Sequence, residues 1–399
     1  MKNKKILTLI LSICMLSAAG CNTASADVNT DTQNTTAITE QAVDEGVYYA
    51  SSDNVKQLGR TYYDDNNTLW CALSGSGIEF EYTGTKAEIT IIGDSSVSAG
   101  NFDGNPRVAI YVDGERVIDD MLNKSERTYT VAENNTSKTS TIKVIKLSEA
   151  ANSTFGISNI KIDTDESITP TPSKDMLIEF IGDSITCGYG VDDEVKENHF
   201  STKTEDITKT YAFKTAEALN ADYSMVSFSG YGIISGYSGD GKKVESQQLP
   251  KYYSKTGHSY GNMNGKQISS IEWDFSKREP NIIVINLGTN DDTYCKDEEK
   301  KNEFSTAYID FLKQVREKNP NAKIICTLGI MGGNLYPYIE LAVSTYTSES
   351  GDTNVTSMLF ASQNMADGIA ADWHPSDKTH TIASEKLVNE LISLGWVVK

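Results

Sequence analysis

The alternation of apolar and polar positions divides the chain into two regions with different periods. Between residues 47 and 163, apolar residues recur at every second position, as at Ile78 and Phe80. Asp113-Gly114 supplies a hairpin turn between two such runs. Several short strands with no convincing helix among them predict an all-β sandwich of the jelly-roll type over residues 46–165.

From residue 175 onward, continuous apolar runs typical of buried strands alternate with stretches of helical spacing. The strand runs lie at 176–182, 223–228, 281–287 and 323–328. The helical spacing is clearest at Tyr308, Phe311, Leu312 and Val315 and again near the C-terminus. This alternation predicts a three-layer α/β/α domain with a parallel sheet over residues 175–399. The proline-containing stretch 166–174 is predicted to be a stiff linker between the two domains.

The first residues have the features of a secretory signal. Three lysines, at positions 2, 4 and 5, precede an apolar run that is too short for a transmembrane helix. The small residues before Cys21 resemble the lipobox of a bacterial lipoprotein, although Ala18 stands where that motif usually has leucine. We therefore expect a signal at 1–20, lipidation of Cys21, anchoring at the cell surface and a disordered tether at 21–45. A plain secretory signal cleaved near residues 24–26 is the alternative, and both place the protein outside the cytoplasm.

The net charge limits the kinds of molecule that the protein is expected to bind. The formal net charge is −19, and removal of the signal with its lysines makes it more negative. Such an excess argues against nucleic acid and anionic polymers and suits a neutral substrate. The cysteines, histidines and acid pairs fit no common metal-site spacing and no disulfide framework, so we expect neither a metal nor another cofactor. We expect the protein to be a monomer.

Three stretches could together supply the chemistry of acyl transfer. Ser184 follows the strand run 176–182 in a glycine-rich turn, which is where α/β folds place ligands. Asn290 follows the run 281–287 and could donate its amide hydrogen at the same edge of the sheet. His374, in a loop stiffened by Pro375, could reach the serine as general base.

With Gly230, which follows a third strand, these blocks occur in the order typical of the SGNH (GDSL-type) hydrolases, and the chain resembles that family over about residues 174–399. The preceding domain resembles the small β-sandwich of carbohydrate esterase family 2, at Gly-Ser-Gly-Ile-Glu-Phe 75–80 and Val-Asp-Gly-Glu-Arg-Val 112–117. The resemblance implies that Ser184 is the nucleophile and that the backbone N–H groups of Ser184 and Gly230, with the Asn290 side chain, bind the oxyanion.

The sequence identifies the third member of a catalytic triad less clearly than it identifies the serine and the histidine. Most relatives have an aspartate three residues before the histidine, but Ala371 occupies that position and Asp372 is one residue closer to His374. A shift of one residue in an extended loop turns the side chain to the other side. Some members of carbohydrate esterase family 2 use a Ser-His dyad with a backbone carbonyl orienting the histidine. Whether Asp372 or a carbonyl plays that part stays open at the level of sequence.

Aromatic residues beside these blocks are candidates for sugar binding. Trp373 is the first of them, since an indole face suits a pyranose ring, and Tyr189 and Tyr231 are weaker candidates. The stretch 252–265 is expected to line the cleft, with a surface insertion as the alternative. His199 has no evident partner in the sequence.

The resemblance implies a serine esterase that removes O-acetyl groups from a plant polysaccharide such as xylan or glucomannan. A lipase-like or peptidoglycan-directed SGNH esterase is an alternative within catalysis. A carbohydrate-binding lipoprotein without catalysis is the alternative from another class.

Overall fold

The computed structural model describes residues 46–97, 103–163 and 167–398. The predicted signal, Cys21 and the tether lie outside these residues. Over the ranges described, no helix is both long and apolar enough to cross a membrane.

The N-terminal part folds into an antiparallel sheet, as predicted. Its strands are β1 (Val47–Tyr48), β2 (Lys56–Leu58), β3 (Thr61–Tyr63), β4 (Leu69–Cys71), β5 (Gly77–Gly93), β6 (Arg107–Val112), β7 (Glu115–Met121), β8 (Glu126–Lys146), β9 (Phe155–Ile162) and β10 (Thr169–Pro170). The main order is β3-β4-β9-β5-β8-β6-β7; β2 and β10 pair with β5, and β1 pairs with β9. Strands β5 and β8 are the longest strands of this sheet and pair with each other along most of their length.

The period-two pattern explains how this sheet buries one face. Ile78 and Phe80 in the first half of β5 and Ile89 and Ile91 in the second half are all fully buried in one core. At the predicted hairpin, Asp113 and Gly114 have φ values of 52° and 85°, as a tight turn between β6 and β7 requires.

The C-terminal part is a five-stranded parallel sheet with helices on both faces, also as predicted. Its strands are β11 (Leu177–Gly182), β12 (Asp222–Ser227), β13 (Ile282–Asn286), β14 (Lys323–Ile330) and β15 (Val355–Ser362), in the order β12-β11-β13-β14-β15. The helices are α1 (Ser184–Cys187), α2 (Tyr211–Ala218), α3 (Asp291–Tyr294), α4 (Glu298–Lys318), α5 (Tyr336–Ser350) and α6 (Asp377–Ser393). Helices α4 and α5 pack on one face, and α2 and α6 pack on the other.

The two sheets share buried contacts. Arg60 of the antiparallel domain donates from Nη2 to Glu179 in β11, at 3.1 Å, and both side chains are almost completely buried. The predicted linker is not a free spacer, because Ile168 is buried and Thr169–Pro170 pairs with β5. The exact domain boundaries stay predictions.

Candidate active site

Ser184 lies at the carboxyl edge of the parallel sheet because β11 ends at Gly182 and α1 begins at Ser184. The Asp183 carboxylate accepts a hydrogen bond from the Ile185 N–H at 3.0 Å and so caps the short helix. The helix ends at Gly188, whose φ of 85° favours glycine. Strand β11 lies between β12 and β13, so the serine hydroxyl faces the residues that follow these strands.

The serine and histidine predicted from sequence are in direct contact. His374 Nε2 lies 2.8 Å from Ser184 Oγ. On the other side of the ring, Nδ1 lies 3.2 Å from each of the carbonyl oxygens of Ala371 and Asp372. Because carbonyl oxygens only accept, Nδ1 carries the hydrogen and Nε2 is free to accept the serine proton. Burial lowers the pKa of His374 to about 4, which keeps the imidazole neutral at ordinary pH.

The carboxylate of Asp372 binds two side chains other than His374. Its Oδ2 accepts from the Tyr189 hydroxyl at 2.5 Å, and its Oδ1 lies 2.8 Å from His199 Nδ1. Burial alone would raise the pKa of Asp372, but these hydrogen bonds outweigh it and hold the pKa below its ordinary value. Within the described residues, the Asp372 carboxylate thus makes no hydrogen bond to the His374 imidazole. His199, which has no evident partner in the sequence, has Asp372 as its partner in the fold.

Tyr189 supports the histidine as well as lining the cleft. Its ring stacks on the His374 imidazole, with the centroids 3.9 Å apart and the planes inclined by 17°. One face of the phenol is therefore covered, which argues against the sugar-platform interpretation of Tyr189. Tyr231 departs from that interpretation more clearly, since it is only 2% exposed and packs against Phe228 and Tyr252.

The predicted oxyanion donors converge on the same edge. Gly230 follows β12 with a φ of 80°, and within the described ranges neither its N–H nor that of Ser184 donates a hydrogen bond. Asn290 Nδ2 lies 2.8 Å from the Tyr231 carbonyl oxygen and 3.4 Å from Asp183 Oδ2. The first contact fixes the orientation of the amide in the cleft that Ser184 also lines, which suits a donor to a negatively charged oxygen.

The loop that carries Gly230 is fixed downstream by Asp291. Its buried carboxylate accepts the N–H groups of Ile233, Ile234 and Ser235 at 2.9, 2.8 and 3.0 Å. Burial raises the pKa of Asp291 to about 6 in spite of these hydrogen bonds. Asp291 is the first residue of α3 and directly follows Asn290, so this contact ties the turn after β13 to the loop that follows β12.

Ser184, Gly230, Asn290 and His374 line a cleft of about 810 Å³. Trp373, Tyr237 and Tyr260 line it with half or more of their surface exposed, at 50%, 61% and 62%. Exposure of Trp373 fits the predicted platform. Tyr237 and Tyr260 are additional aromatic residues; Tyr260 lies in the stretch 252–265, which therefore contributes to the cleft.

The other titratable groups singled out from the sequence have ordinary structural partners. Asp192 pairs with Arg107 at 2.6 Å and with Lys209. His258 packs among aromatic rings, and His380 Nδ1 accepts the Tyr211 N–H. Cys71, Cys187, Cys295 and Cys326 are buried free thiols. Across residues 46–97, 103–163 and 167–398, no group of three or more potential ligands could hold a metal ion.

Comparison with known proteins agrees with this architecture. Residues 178–387 match the family model for GDSL-like lipases/acylhydrolases, and residues 57–172 match the N-terminal domain model of carbohydrate esterase 2. The class defined by fold and sequence is thus that of the GDSL-like acylhydrolases.

Individual relatives show which family within this class the chain belongs to. A family two carbohydrate esterase from Clostridium thermocellum, solved with cellohexaose, is 30% identical, with a TM-score of 0.74 over 86% of this chain and 100% of that one. An acetyl xylan esterase from Butyrivibrio proteoclasticus is 28% identical, with a TM-score of 0.77 over 87% and 96% of the two chains. The cellulase/esterase CelE of Acetivibrio thermocellus is 31% identical over 85% of this chain, which spans 39% of the length of that enzyme. The chain belongs to the family 2 carbohydrate esterases.

Proposed function

We propose that this protein is a serine esterase that removes O-acetyl groups from a plant polysaccharide such as xylan or glucomannan. The observation that carries the proposal is the 2.8 Å contact between Ser184 Oγ and His374 Nε2, with Nδ1 held by backbone carbonyls. That arrangement supports Ser184 as the nucleophile and His374 as its base, because a hydrogen on Nδ1 leaves Nε2 able to accept the serine proton.

The reaction would proceed through an acyl-enzyme. Ser184 Oγ attacks the ester carbonyl carbon while His374 Nε2 takes the hydroxyl proton. As the tetrahedral intermediate collapses, the bond to the sugar oxygen breaks and His374 returns the proton to that oxygen. Water, deprotonated by the same nitrogen, then attacks the acetyl-serine. The bond between the acyl carbon and Ser184 Oγ breaks, His374 returns the proton to Oγ, and acetate is released.

The negative oxygen of each tetrahedral intermediate would be bound by the backbone N–H groups of Ser184 and Gly230 and by the Asn290 amide. Loss of one such donor typically lowers kcat by about 10²- to 10³-fold. Because Asn290 is also bonded to the Tyr231 carbonyl, its amide would be positioned before the substrate arrives.

The surface of the cleft suits a neutral sugar chain. Exposed Trp373, Tyr237 and Tyr260 offer apolar ring faces with polar edges, as pyranose rings require. Asp292 and Asp372 also line the cleft and would repel an anionic polymer. Relatives described as an acetyl xylan esterase and as binding cellohexaose support a β-linked polysaccharide backbone as the ligand.

The site would operate outside the cytoplasm, with residues 1–20 removed, Cys21 lipidated and residues 21–45 acting as a tether. The folded part would comprise the antiparallel domain and the catalytic domain, joined at residues 166–174. In the full chain, Cys21→Ala should move the protein from the membrane fraction to the medium. Wild-type protein found in the medium would instead support the plain secretory signal.

The function is tested by acetate release from acetylated xylan and acetylated glucomannan, using the chain from residue 45 and its Ser184→Ala variant. Hydrolysis of C2 and C8 nitrophenyl esters is measured in parallel. We expect acetate from at least one polysaccharide and preference for the C2 ester, with both lost in the variant. Activity confined to the C8 ester would favour a lipase-like enzyme. Binding of oligosaccharide without hydrolysis of any substrate would favour a carbohydrate-binding protein.

A further inference from the structure

A carboxylate from the antiparallel domain reaches the loop that carries Gly230. Glu149 follows β8 and lines the cleft, yet it is only 3% exposed. Its Oε2 accepts the backbone N–H of Ser229 at 2.7 Å, and its Oε1 accepts from Asn152 Nδ2 at 3.0 Å. Ser229 immediately precedes Gly230, so this contact lies next to a proposed oxyanion donor.

We propose that Glu149 is a positioning residue for the oxyanion-binding loop, and that the antiparallel domain thereby takes part in forming the active site. This inference rests on the proposed esterase function. Glu149 does not touch the reacting atoms; it binds the peptide group that joins Phe228 to Ser229 and acts on the Gly230 N–H through Ser229.

The backbone of Glu149 is held in place by buried polar side chains. The Glu149 N–H donates to Glu205 Oε2 at 2.9 Å, and the buried ammonium of Lys146 donates to the Glu149 carbonyl oxygen. Lys146 also donates to the Ser148 carbonyl oxygen at 3.0 Å. The residue is thus held on both sides by buried polar groups.

These groups form a buried cluster of titratable side chains, and burying such groups is costly unless they are hydrogen-bonded. Burial raises the pKa of Glu149 and of Glu205 and lowers the pKa of Lys146 to about 8. Buried ionisable groups are tolerated when they are paired and hydrogen-bonded, and the Ser229 N–H is part of that pairing. Loss of the carboxylate would leave that N–H without its acceptor.

The oxyanion loop is anchored at two points, one on each side of Gly230. Asp291, from the same domain, binds the N–H groups of residues 233–235 downstream. Glu149 binds the N–H of Ser229 upstream. An oxyanion donor contributes fully only when it already points at the developing charge, so loosening either anchor weakens transition-state binding more than substrate binding.

The test compares Glu149→Gln, Glu149→Asp and Glu149→Ala with wild type in hydrolysis of 4-nitrophenyl acetate. The alanine variant should lower kcat about 10- to 100-fold with KM within about twofold, because the lost interaction acts in the transition state. Binding of phenylboronic acid, which forms a tetrahedral adduct with serine, should weaken by a similar factor. Glutamine retains a carbonyl oxygen that can accept the Ser229 N–H, so it should keep kcat within about threefold of wild type.

Glu179→Gln is the matched control, because Glu179 is similarly buried and also bridges the two domains, through Arg60. That variant should lower the melting temperature and leave kcat unchanged. If the alanine variant does not fold, the aspartate variant tests the role of Glu149 instead. Its shorter side chain keeps the carboxylate but does not reach the Ser229 N–H. A kcat within twofold of wild type in the folded alanine or aspartate variant would overturn the role of Glu149. An inactive wild type would instead refute the esterase function.

Discussion

The position of Asp372 leads to a prediction that separates a dyad from a triad. In a Ser-His-Asp triad, replacing the aspartate by asparagine lowers kcat about 10⁴-fold because the histidine adopts the wrong tautomer. Here the two carbonyl oxygens at 3.2 Å hold the hydrogen on His374 Nδ1, so the tautomer does not depend on the carboxylate. We therefore expect Asp372→Asn to have a small effect.

The size of that effect follows from what the carboxylate still does. It attracts the imidazolium that forms in the transition state, and its side chain is 34% exposed, so water screens the attraction. Two unit charges about 4 Å apart interact by about 1 kcal/mol in water and about 4 kcal/mol at an effective dielectric constant of about 20. Because Asp372 is partly exposed and beyond hydrogen-bond distance of the imidazole nitrogens, its interaction energy with the imidazolium should lie near the lower of these two values. About 1.4 kcal/mol corresponds to a tenfold decrease in kcat/KM.

The assay is steady-state hydrolysis of 4-nitrophenyl acetate by Asp372→Asn, His374→Ala and wild type, with melting temperatures as a check on folding. Asparagine is the substitution of choice because Asp372 has a φ of 47°, a conformation that asparagine tolerates better than alanine. We expect kcat/KM to decrease about tenfold for Asp372→Asn and more than about 10³-fold for His374→Ala. Equal decreases in two folded variants would refute the dyad.

Three further predictions concern pH, sugar binding and stability. Burial lowers the pKa of His374 to about 4, so kcat/KM should stay on its plateau as pH falls through about 6.5 and reach half its maximum near pH 4; an acid limb near 6.5 would contradict this. Tyr237→Ala or Tyr260→Ala should raise KM for acetylated xylan about five- to tenfold and leave 4-nitrophenyl acetate hydrolysis within about twofold; equal losses on both substrates would argue against a sugar platform. Arg60→Leu leaves the buried Glu179 carboxylate without its cation and should lower the free energy of unfolding by about 3 to 5 kcal/mol in urea denaturation, whereas a change below about 1 kcal/mol would show that the pair is not needed.

The parts of the site that follow directly after strands could be predicted from sequence. Ser184, Gly230 and Asn290 each stand just beyond a buried apolar run, and parallel strands bring their carboxyl ends to one edge. Their proximity in the structure follows from that topology. Helix α5 and strand β15 were not predicted, although Ile339, Ala342, Val343 and Tyr346 in α5 have helical spacing and are all buried.

The supporting contacts could not be predicted, because no local pattern encodes them. Tyr189 meets the His374 ring, and Glu149 meets Ser229, across long stretches of chain. Local periodicity reports which residues are buried but not which buried polar groups become partners. The same limit explains Tyr231, whose position after β12 suggested an exposed ring although the fold encloses it among other aromatic residues.

The turn before His374 connects the orientation of the base with the binding surface. Asp372 and Trp373 both have positive φ values, 47° and 62°, which are costly for residues other than glycine. Four hydrogen bonds hold this conformation: Asp372 N–H to the Asn198 carbonyl, His374 N–H to the Ala371 carbonyl, Gln363 Nε2 to the Trp373 carbonyl and Ala370 N–H to the His374 carbonyl. The same turn directs two carbonyl oxygens at Nδ1 and leaves half of Trp373 exposed in the cleft. If this turn only connected two segments, glycine or asparagine at these positions would be less strained. The strain at Asp372 and Trp373 therefore favours a functional role for both residues.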